Sequence, residues 1–297
     1  MFYILYGILY LISLLPFFIL YFFSNGLCFI IHRVIRYRKS VVMANLAIAF
    51  PEKTIKERKK IAAGFYQNFC DYIVESIKLL SMSDRQFDKR VKGDFSIVDR
   101  LAREGKNVQI HGGHQFNFEY CNLVTARHTH EIPFVGVYMP ITNKFFDKVI
   151  YKVRARYGTT LISKPDFKKN YRALLKQRYV ITLGADQNPG HVAIQYWLNF
   201  FGKPAPFVMG PDKGAVTNNL AVVFLQSKKP KRGYYVYECM EVVTNAAECG
   251  KGELTLLYRD YLEKIIKETP GNYLWSHKRW KHEFKEEYRG QWIDNRN

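Results

Sequence analysis

The first 31 residues of this 297-residue chain contain no lysine, arginine, aspartate or glutamate. The apolar run at residues 1–23 is about long enough to cross a hydrocarbon core of about 30 Å, at about 1.5 Å per helical residue. A basic group follows at once, which predicts that the rest of the chain lies on the cytoplasmic side. We therefore expect a membrane anchor at residues 1–32 and a folded domain at residues 33–297. The basic group consists of Arg33, Arg36, Arg38 and Lys39.

Two other arrangements of this apolar run stay open. Pro16 interrupts it, and a proline kinks or breaks a helix, so a shallow or re-entrant insertion is one alternative. A helix buried in a protein core is the other. A cleaved signal peptide is disfavoured, because the run lacks a basic start and a cleavage site of small residues.

The charge and the cysteines limit the partners. A formal net charge of +19 indicates an acidic partner: anionic lipid, phosphorylated glycolipid, an acidic carrier protein or nucleic acid. The apolar anchor argues against nucleic acid. Five cysteines are scattered without a C-x-x-C pair, and none lies at metal-ligand spacing from a histidine. We expect reduced cysteines and no metal.

Short apolar runs alternate with helical patterns from residue 107 onward. Five of these runs are predicted strands, at residues 107–111, 132–138, 179–183, 221–225 and 233–238. Earlier, Thr54-x-x-Glu57 is typical of a helix start, and a last helix is predicted at residues 252–268. The alternation predicts an α/β fold with a mainly parallel central sheet flanked by helices. Functional sites in such sheets lie beyond the carboxyl ends of the strands.

A histidine and a glutamate follow the strand predicted at residues 107–111. The sequence from Ile110 to Glu119 is IHGGHQFNFE, whose two glycines allow a sharp turn out of the sheet. His114 is then expected at the mouth of a helix and Glu119 one turn inside it, so that the carboxylate reaches back to the imidazole. Such a pair is a general base for an alcohol, and no serine or cysteine nucleophile is required. His111 is a weaker candidate, because the residue five positions after it is Phe116, which has no carboxylate to orient the imidazole.

An alternative for this motif is structural. His114 on spacing alone is equally a helix-start residue whose hydrogen bonds are satisfied by the backbone, since H-x-x-x-x-E occurs often by chance.

The motif and seven further blocks resemble the bacterial lipid A biosynthesis (lauroyl/myristoyl) acyltransferase family, within the wider glycerolipid acyltransferase group. The blocks come in the family's order and span nearly the whole chain. They are YRKSVVMANL at residues 37–46, AFPE at 49–52, VYMPITN at 137–143, RARYG at 154–158, DQNPG at 186–190, FFGKPA at 200–205 and PGNYLWSHKRWK at 270–281.

The resemblance implies a membrane-bound acyltransferase at the bacterial inner membrane, facing the cytoplasm. It would move a fatty acyl group from an acyl thioester, acyl carrier protein or acyl-CoA, onto a hydroxyl of a lipid A precursor, with His114 as base oriented by Glu119. No metal or organic cofactor is expected. Phe118, Met139 and Asn188 depart from the family's usual residues. These departures leave the acyl-transfer core intact but leave the acceptor and donor open, so another acceptor, such as an amino-acid-linked lipid or a phospholipid, is an alternative. A non-catalytic protein that binds acidic lipids is a separate alternative.

Four other matched residues are predicted to bind substrate. Arg154 or Arg156 would hold a phosphate or the donor's phosphopantetheine, because guanidinium pairs bidentately with phosphate; a solvated basic helix face is the alternative. Asn143 would bond the acceptor sugar or brace its loop. Asp186 would orient a cation or the acceptor in the cleft, or simply end a strand.

Two further clusters of the sequence are basic. The segment from Trp275 to Lys281 combines indoles and cations, which favours a position at the membrane interface. The four cations at Lys228, Lys229, Lys231 and Arg232 are predicted to form an exposed turn between two strands.

Overall fold

The N-terminal apolar run forms two helices, α1 (Phe2–Leu14) and α2 (Phe17–Phe29), which continues into a π-helical turn (Ile30–Val34). The computed structural model describes residues 2–294, apart from the side chains of Phe2 and Glu241. Met1 and the last three residues of the predicted domain lie outside this range. Pro16 separates the helices in an extended conformation (φ −64°, ψ 153°), because proline cannot continue a hydrogen-bonded helix.

The break changes which segment is long enough to cross a membrane. With 13 residues each, α1 and α2 are about 20 Å long, short of the hydrocarbon thickness of about 30 Å. Expecting one helix over residues 1–23 was therefore wrong. Among the described residues, the helix long and apolar enough to span is Phe17–Val34, which includes the π-helical turn.

The helix predicted from Thr54 is the support for this N-terminal region. It is α4 (Ile55–Lys78), 24 residues long, and its predicted capping box is confirmed: Thr54 and Glu57 bond each other's backbone amides. Both N-terminal helices and α3 (Lys39–Ala49) pack against α4. The N-terminal region is thus folded onto the rest of the protein rather than standing apart from it.

The predicted sheet is confirmed as the centre of the fold. Seven strands lie in the order β1-β9-β8-β2-β5-β3-β4; β8 and β9 pair antiparallel and the other neighbours are parallel. A separate antiparallel pair joins β6 and β7. The strands are β1 (Val91–Asp94), β2 (Val108–Gly112), β3 (Phe134–Tyr138), β4 (Thr160–Ser163), β5 (Val180–Gly184), β6 (Tyr196–Phe200), β7 (Lys203–Phe207), β8 (Ala221–Lys231) and β9 (Tyr234–Val243).

Helices cover both faces of the sheet, so the mainly parallel α/β fold class is confirmed. One face packs against α7 (Phe118–His128), where Ile110 and Val180 share a core with Leu123. The other packs against α11 (Glu253–Glu268), where Ile181 and Phe224 share a core with Leu262. The remaining helices are α5 (Asp84–Arg90), α6 (Ser96–Arg103), α8 (Lys144–Arg154), α9 (Phe167–Leu174) and α10 (Gly210–Thr217).

The prediction that the four cations of the β8–β9 turn are exposed is correct for only two of them. Lys228 and Lys231 are exposed, but the other two cations fold back onto α4. The Arg232 guanidinium lies 2.6 Å from Asp71, which is buried, and Lys229 lies 3.3 Å from the same carboxylate. Arg232 also donates to Asn25 of α2 at 2.8 Å. This ion cluster ties the N-terminal region to the sheet.

Candidate active site

The glycine turn after β2 places His114 beside the end of β5. Because β2 and β5 are parallel neighbours, with Gly112 opposite Gly184, the residues that follow them emerge at one edge of the sheet. Asp186 is one of these. Its carboxylate accepts from the His114 backbone N–H at 2.9 Å, and its other oxygen lies 2.5 Å from the imidazole Nδ1. The structure thus joins two residues that are 72 positions apart.

The imidazole rests on the end of β5 because position 184 has no side chain. A Cβ atom built on Gly184 would lie 2.9 Å from His114 Cε1, closer than real contacts allow. The His114 side chain keeps 28% of its exposure, whereas Asp186 keeps 1%. The ring is therefore accessible while its carboxylate partner is sealed beneath it.

The protonation of this pair follows from its surroundings. Burial alone disfavours the imidazolium, but the Asp186 charge and hydrogen bond outweigh burial and hold the pKa of His114 above its usual 6.5. Burial also opposes ionisation of Asp186, yet the interaction with His114 keeps the pKa of this carboxyl below 3.8. The carboxylate fixes the neutral ring with its proton on Nδ1. Nε2, which has no protein partner within residues 2–294, is then free to accept a proton.

Glu119 lies elsewhere in the site. It occupies the first turn of α7, is 1% exposed, and receives two hydrogen bonds from the Arg154 guanidinium, at 2.7 and 2.8 Å. Tyr72 donates a third at 3.1 Å. The predicted hydrogen bond between Glu119 and His114 is therefore wrong: each side chain has another partner, and the carboxylate on the imidazole is Asp186.

The other predicted substrate residues divide along α8. Arg154 lines the central cavity, but Arg156 points elsewhere: it pairs with Asp84 at 2.6 Å and donates to the Met82 carbonyl at 2.8 Å. Asn143 is exposed and caps α8, with its side-chain oxygen accepting from the amides of Phe145 and Phe146. The structure thus brings together His114, Asp186 and Arg154, and separates Arg156 and Asn143 from them.

A cavity of about 380 Å³ opens at His114 and runs between α7 and the sheet. Its floor is open because Gly112, Gly136 and Gly184 occupy three strands on the side that faces α7. The walls are mainly apolar, as a slot for an apolar group requires. They include Phe118, Cys121, Phe134, Val137, Leu161 and Leu225.

Cys121 and Ser227 line this cavity, but neither is activated as a nucleophile. Burial raises the pKa of the Cys121 thiol to about 12, so the thiolate is scarce at neutral pH. The Ser227 hydroxyl donates to the Phe116 carbonyl at 3.1 Å. His111 lies on the opposite face of the sheet, between Phe224 and Tyr258, and burial lowers its pKa to about 4. His114 is the accessible base.

The segment after α11 contacts both loops of the candidate site, the one after β2 and the one after β5. The sequence did not predict these contacts. The Leu274 amide donates to the His114 carbonyl at 3.1 Å, and the Asn188 amide donates to His277 Nε2 at 3.0 Å. Trp275 and Arg279 are each 1% exposed, so these two side chains do not face a membrane as predicted, whereas Lys278 and Lys281 of the same cluster are exposed. A basic and aromatic composition cannot distinguish a surface patch from a buried wall.

A histidine held by a buried aspartate at the mouth of an apolar cavity is an arrangement typical of enzymes that use a general base on an apolar substrate. Comparison with known sequences gives the family. Residues 1–282 match the model of the bacterial lipid A biosynthesis acyltransferase family, and the chain belongs to that family. Proteins of this family act in lipid A biosynthesis, and the chain is an O-acyltransferase.

Individual relatives cover nearly the whole chain. The lipid A biosynthesis lauroyltransferase of Escherichia coli (strain K12) is 25% identical over 284 residues, which are 93% of this chain and 89% of the relative. The lipid A biosynthesis palmitoleoyltransferase of the same strain is 23% identical over 291 residues, as is the lipid A biosynthesis acyltransferase of Shigella flexneri, with the same coverage. The resemblance seen in the sequence is confirmed.

Proposed function

We propose that His114 is the general base that moves a fatty acyl group from a thioester to a hydroxyl of a lipid A precursor. The observation that carries this proposal is the hydrogen bond of 2.5 Å between His114 Nδ1 and Asp186 at the mouth of the apolar cavity. Nε2 removes the hydroxyl proton as the oxygen attacks the thioester carbonyl carbon. The tetrahedral intermediate collapses, the C–S bond breaks, and the imidazolium returns the proton to the thiolate. The products are an ester and a free thiol.

Asp186 supports this chemistry by stabilising the imidazolium and fixing the tautomer. Glu119 was expected to have this role. We propose instead that it acts through Arg154. It holds Arg154 through two charge-assisted hydrogen bonds, and Arg154 presents its positive charge to the cavity. A fixed cation there stabilises the negative charge that develops on the thioester oxygen.

Our proposals for the acyl donor and for the cellular location depend on the net charge and on the exposed residues of α2. A net charge of +19 suits an acidic acyl carrier protein better than it suits a small thioester such as acyl-CoA, because a carrier offers a wide charged surface. Phe18, Phe22 and Phe29 of α2 are exposed, and Arg33 follows them. We propose residues 1–32 as the anchor in an anionic inner membrane, with the catalytic domain, residues 33–297, facing the cytoplasm.

Purified protein tests the reaction directly. Acyl carrier protein or acyl-CoA is supplied as donor with a lipid A precursor in detergent micelles, and the acylated product is measured by mass spectrometry. We expect transfer by the wild type and by His130→Ala, which removes an exposed histidine, and none by His114→Ala. Full activity of His114→Ala would contradict the mechanism.

The acceptor has its own test. Lipids from a strain that lacks the gene are compared with lipids from the parent strain. Loss of one acyl chain from lipid A supports the proposed acceptor. Unchanged lipid A beside altered amino-acid-linked lipids or phospholipids would overturn it.

A further inference from the structure

A second, larger cavity of about 950 Å³ lies outside the site described above. It is a groove between α1, the end of α4 and α8. Tyr3, Tyr6 and Tyr10 form its α1 side; their spacing of three and four residues puts them on one face of that helix. Residues 79–82, at the end of α4, form its floor. We call this feature the α1–α8 groove.

The opposite side of the groove is basic. Lys148 and Lys152 are exposed on α8, one helical turn apart, and both line the groove. The Lys152 ammonium lies 5.2 Å from the Tyr6 ring centroid and 3.5 Å from its hydroxyl. Phenol and ammonium groups therefore meet across the groove. Both are hydrogen-bond donors, and lysine is a common ligand of phosphate.

Two carboxylates in this region have partners of their own. Asp84 is paired with Arg156 at 2.6 Å and with Arg127 at 3.5 Å. Asp147 accepts a hydrogen bond from the Ile141 amide at 2.7 Å, at the start of α8. Arg156 clamps the end of α4 to α8 and so shapes the floor of the groove. Lys148 and Lys152 supply its basic side.

The groove lies between the apolar N-terminal helix and the helix that carries Arg154. Ile4, Ile8 and Leu11 lie on a different face of α1 from the tyrosines, and all three are exposed. On the other side, α8 carries Arg154 into the catalytic cavity. The groove and the catalytic cavity therefore lie on two sides of the same helix, with Lys148 and Lys152 on one side and Arg154 on the other.

From this arrangement we infer that the α1–α8 groove binds the phosphate-bearing headgroup of the acceptor glycolipid and holds it while the hydroxyl reaches His114. The inference rests on the proposed function. Tyrosine and lysine donors on opposite walls suit an anionic headgroup with apolar chains attached, and the volume exceeds that of the catalytic cavity. The acyl chain of the donor would then occupy the catalytic cavity and the acceptor headgroup the groove.

Steady-state kinetics tests the inference with a charge-matched control. The double variant Lys148→Gln/Lys152→Gln is compared with Lys168→Gln/Lys169→Gln, which removes two exposed lysines from α9. The acceptor is supplied in neutral detergent micelles, with its phosphates or after enzymatic removal of them. We expect the groove variant to raise KM for the phosphorylated acceptor about tenfold, the equivalent of about 1.4 kcal/mol. Its kcat, its KM for the dephosphorylated acceptor and the control variant should be unchanged.

Three outcomes would overturn the inference. They are an unchanged KM, an equal rise with both acceptors, and an effect that appears only when anionic phospholipid vesicles replace the neutral micelles. The last would mean that the lysines attract bulk membrane rather than the acceptor.

A binding measurement separates this inference from the proposed reaction. Equilibrium binding of phosphorylated acceptor micelles is measured with His114→Ala protein, with and without the two lysine substitutions. Weaker binding after the lysine substitutions supports the groove even if transfer assays fail. Equal binding by both proteins refutes the groove even if the wild type transfers acyl groups as proposed.

Discussion

Two buried carboxylates flank the catalytic cavity, and they differ in the partner that each one holds. At the end of β5, Asp186 contacts the imidazole of His114, a group that exchanges protons near neutral pH. On α7, Glu119 holds the guanidinium of Arg154, which stays charged at every physiological pH. The carboxylates are equally hidden from solvent, at 1% exposure each.

The difference shows that burial of a carboxylate does not by itself identify a catalytic dyad. The partner decides the chemistry: the aspartate pair can move a proton, whereas the glutamate pair can only place a fixed charge. The comparison fails if both pairs respond alike to substitution. Substitutions at the two carboxylates and at the histidine test whether the two pairs differ.

Replacement of the base should have the largest effect. His114→Gln removes the proton acceptor, and we expect kcat/KM for acyl transfer to fall by roughly 10⁴-fold. The thermal unfolding midpoint should change little, because the ring is partly exposed. His130→Gln is the matched control. Retention of more than a tenth of wild-type activity by His114→Gln would remove the proton-transfer half of the comparison.

Asp186→Asn should reduce activity almost as much as His114→Gln. The side chain keeps its shape, but its amide N–H₂ can donate to Nδ1 and favours the wrong tautomer, so kcat should fall by about 10³- to 10⁴-fold. KM for the thioester should change little, since Asp186 is sealed beneath the ring and away from the donor. Single-turnover kinetics measures the chemical step. A loss below tenfold would mean that Asp186 is structural.

Glu119→Gln should reduce activity less than the His114 and Asp186 variants do, and for a different physical reason. If Arg154 stabilises the oxyanion, misplacing it should lower kcat by about 10²-fold. Breaking a buried ion pair also destabilises by about 3–5 kcal/mol, which lowers the unfolding midpoint. Glu119→Gln/Arg154→Gln separates the effects, because two amides can pair. Recovered stability without recovered activity supports the catalytic role; recovery of both would make the pair structural.

Much of this fold was predictable, because its signals are local. All five predicted strands exist, as β2, β3, β5, β8 and part of β9. Parallel strands buried on both faces are continuous apolar runs, which stand out in a sequence. The missed edge strands β1 and β4 have four residues each, of which only one is buried in each strand. Pro16 marked the break in the N-terminal run, but its effect depended on how both halves pack against α4.

The site was harder to predict, because its decisive contact is long-range. Both His114 and Asp186 were chosen from the sequence, but not as partners. The spacing of His114 and Glu119 suggested a contact only if the chain turned in one particular way. Sheet register, which no local pattern encodes, instead brings the ends of β2 and β5 together. Arg154 was expected to bind phosphate, and its pairing with Glu119 depends on how α8 packs against α7.

The glycine beneath the ring should have a moderate effect. In Gly184→Ala the added methyl would lie 2.9 Å from His114 Cε1, so the imidazole must shift. A misplacement of about 1 Å costs up to about 10²-fold in rate, and we expect a loss of about tenfold in kcat. Gly190→Ala is the control, because a Cβ atom there meets nothing within 4 Å. Equal activity of the two variants would show that the ring position tolerates change.

The pH dependence offers the smallest and most discriminating test. Catalysis requires neutral His114, and Asp186 raises the pKa of that ring, so the acid limb of kcat/KM in the wild type should lie above pH 6.5. Burial of the ring and Lys164 act in the opposite direction, and His277 is a neighbour whose pKa is itself lowered to about 4. In Asp186→Asn the raising interaction is lost, so the acid limb of the residual activity should move below pH 6.5. Glu119→Gln should leave that limb where it is, because Arg154 rather than His114 is its partner. An equal shift in both variants would mean that the two carboxylates act on the same proton, and the distinction between them would fall.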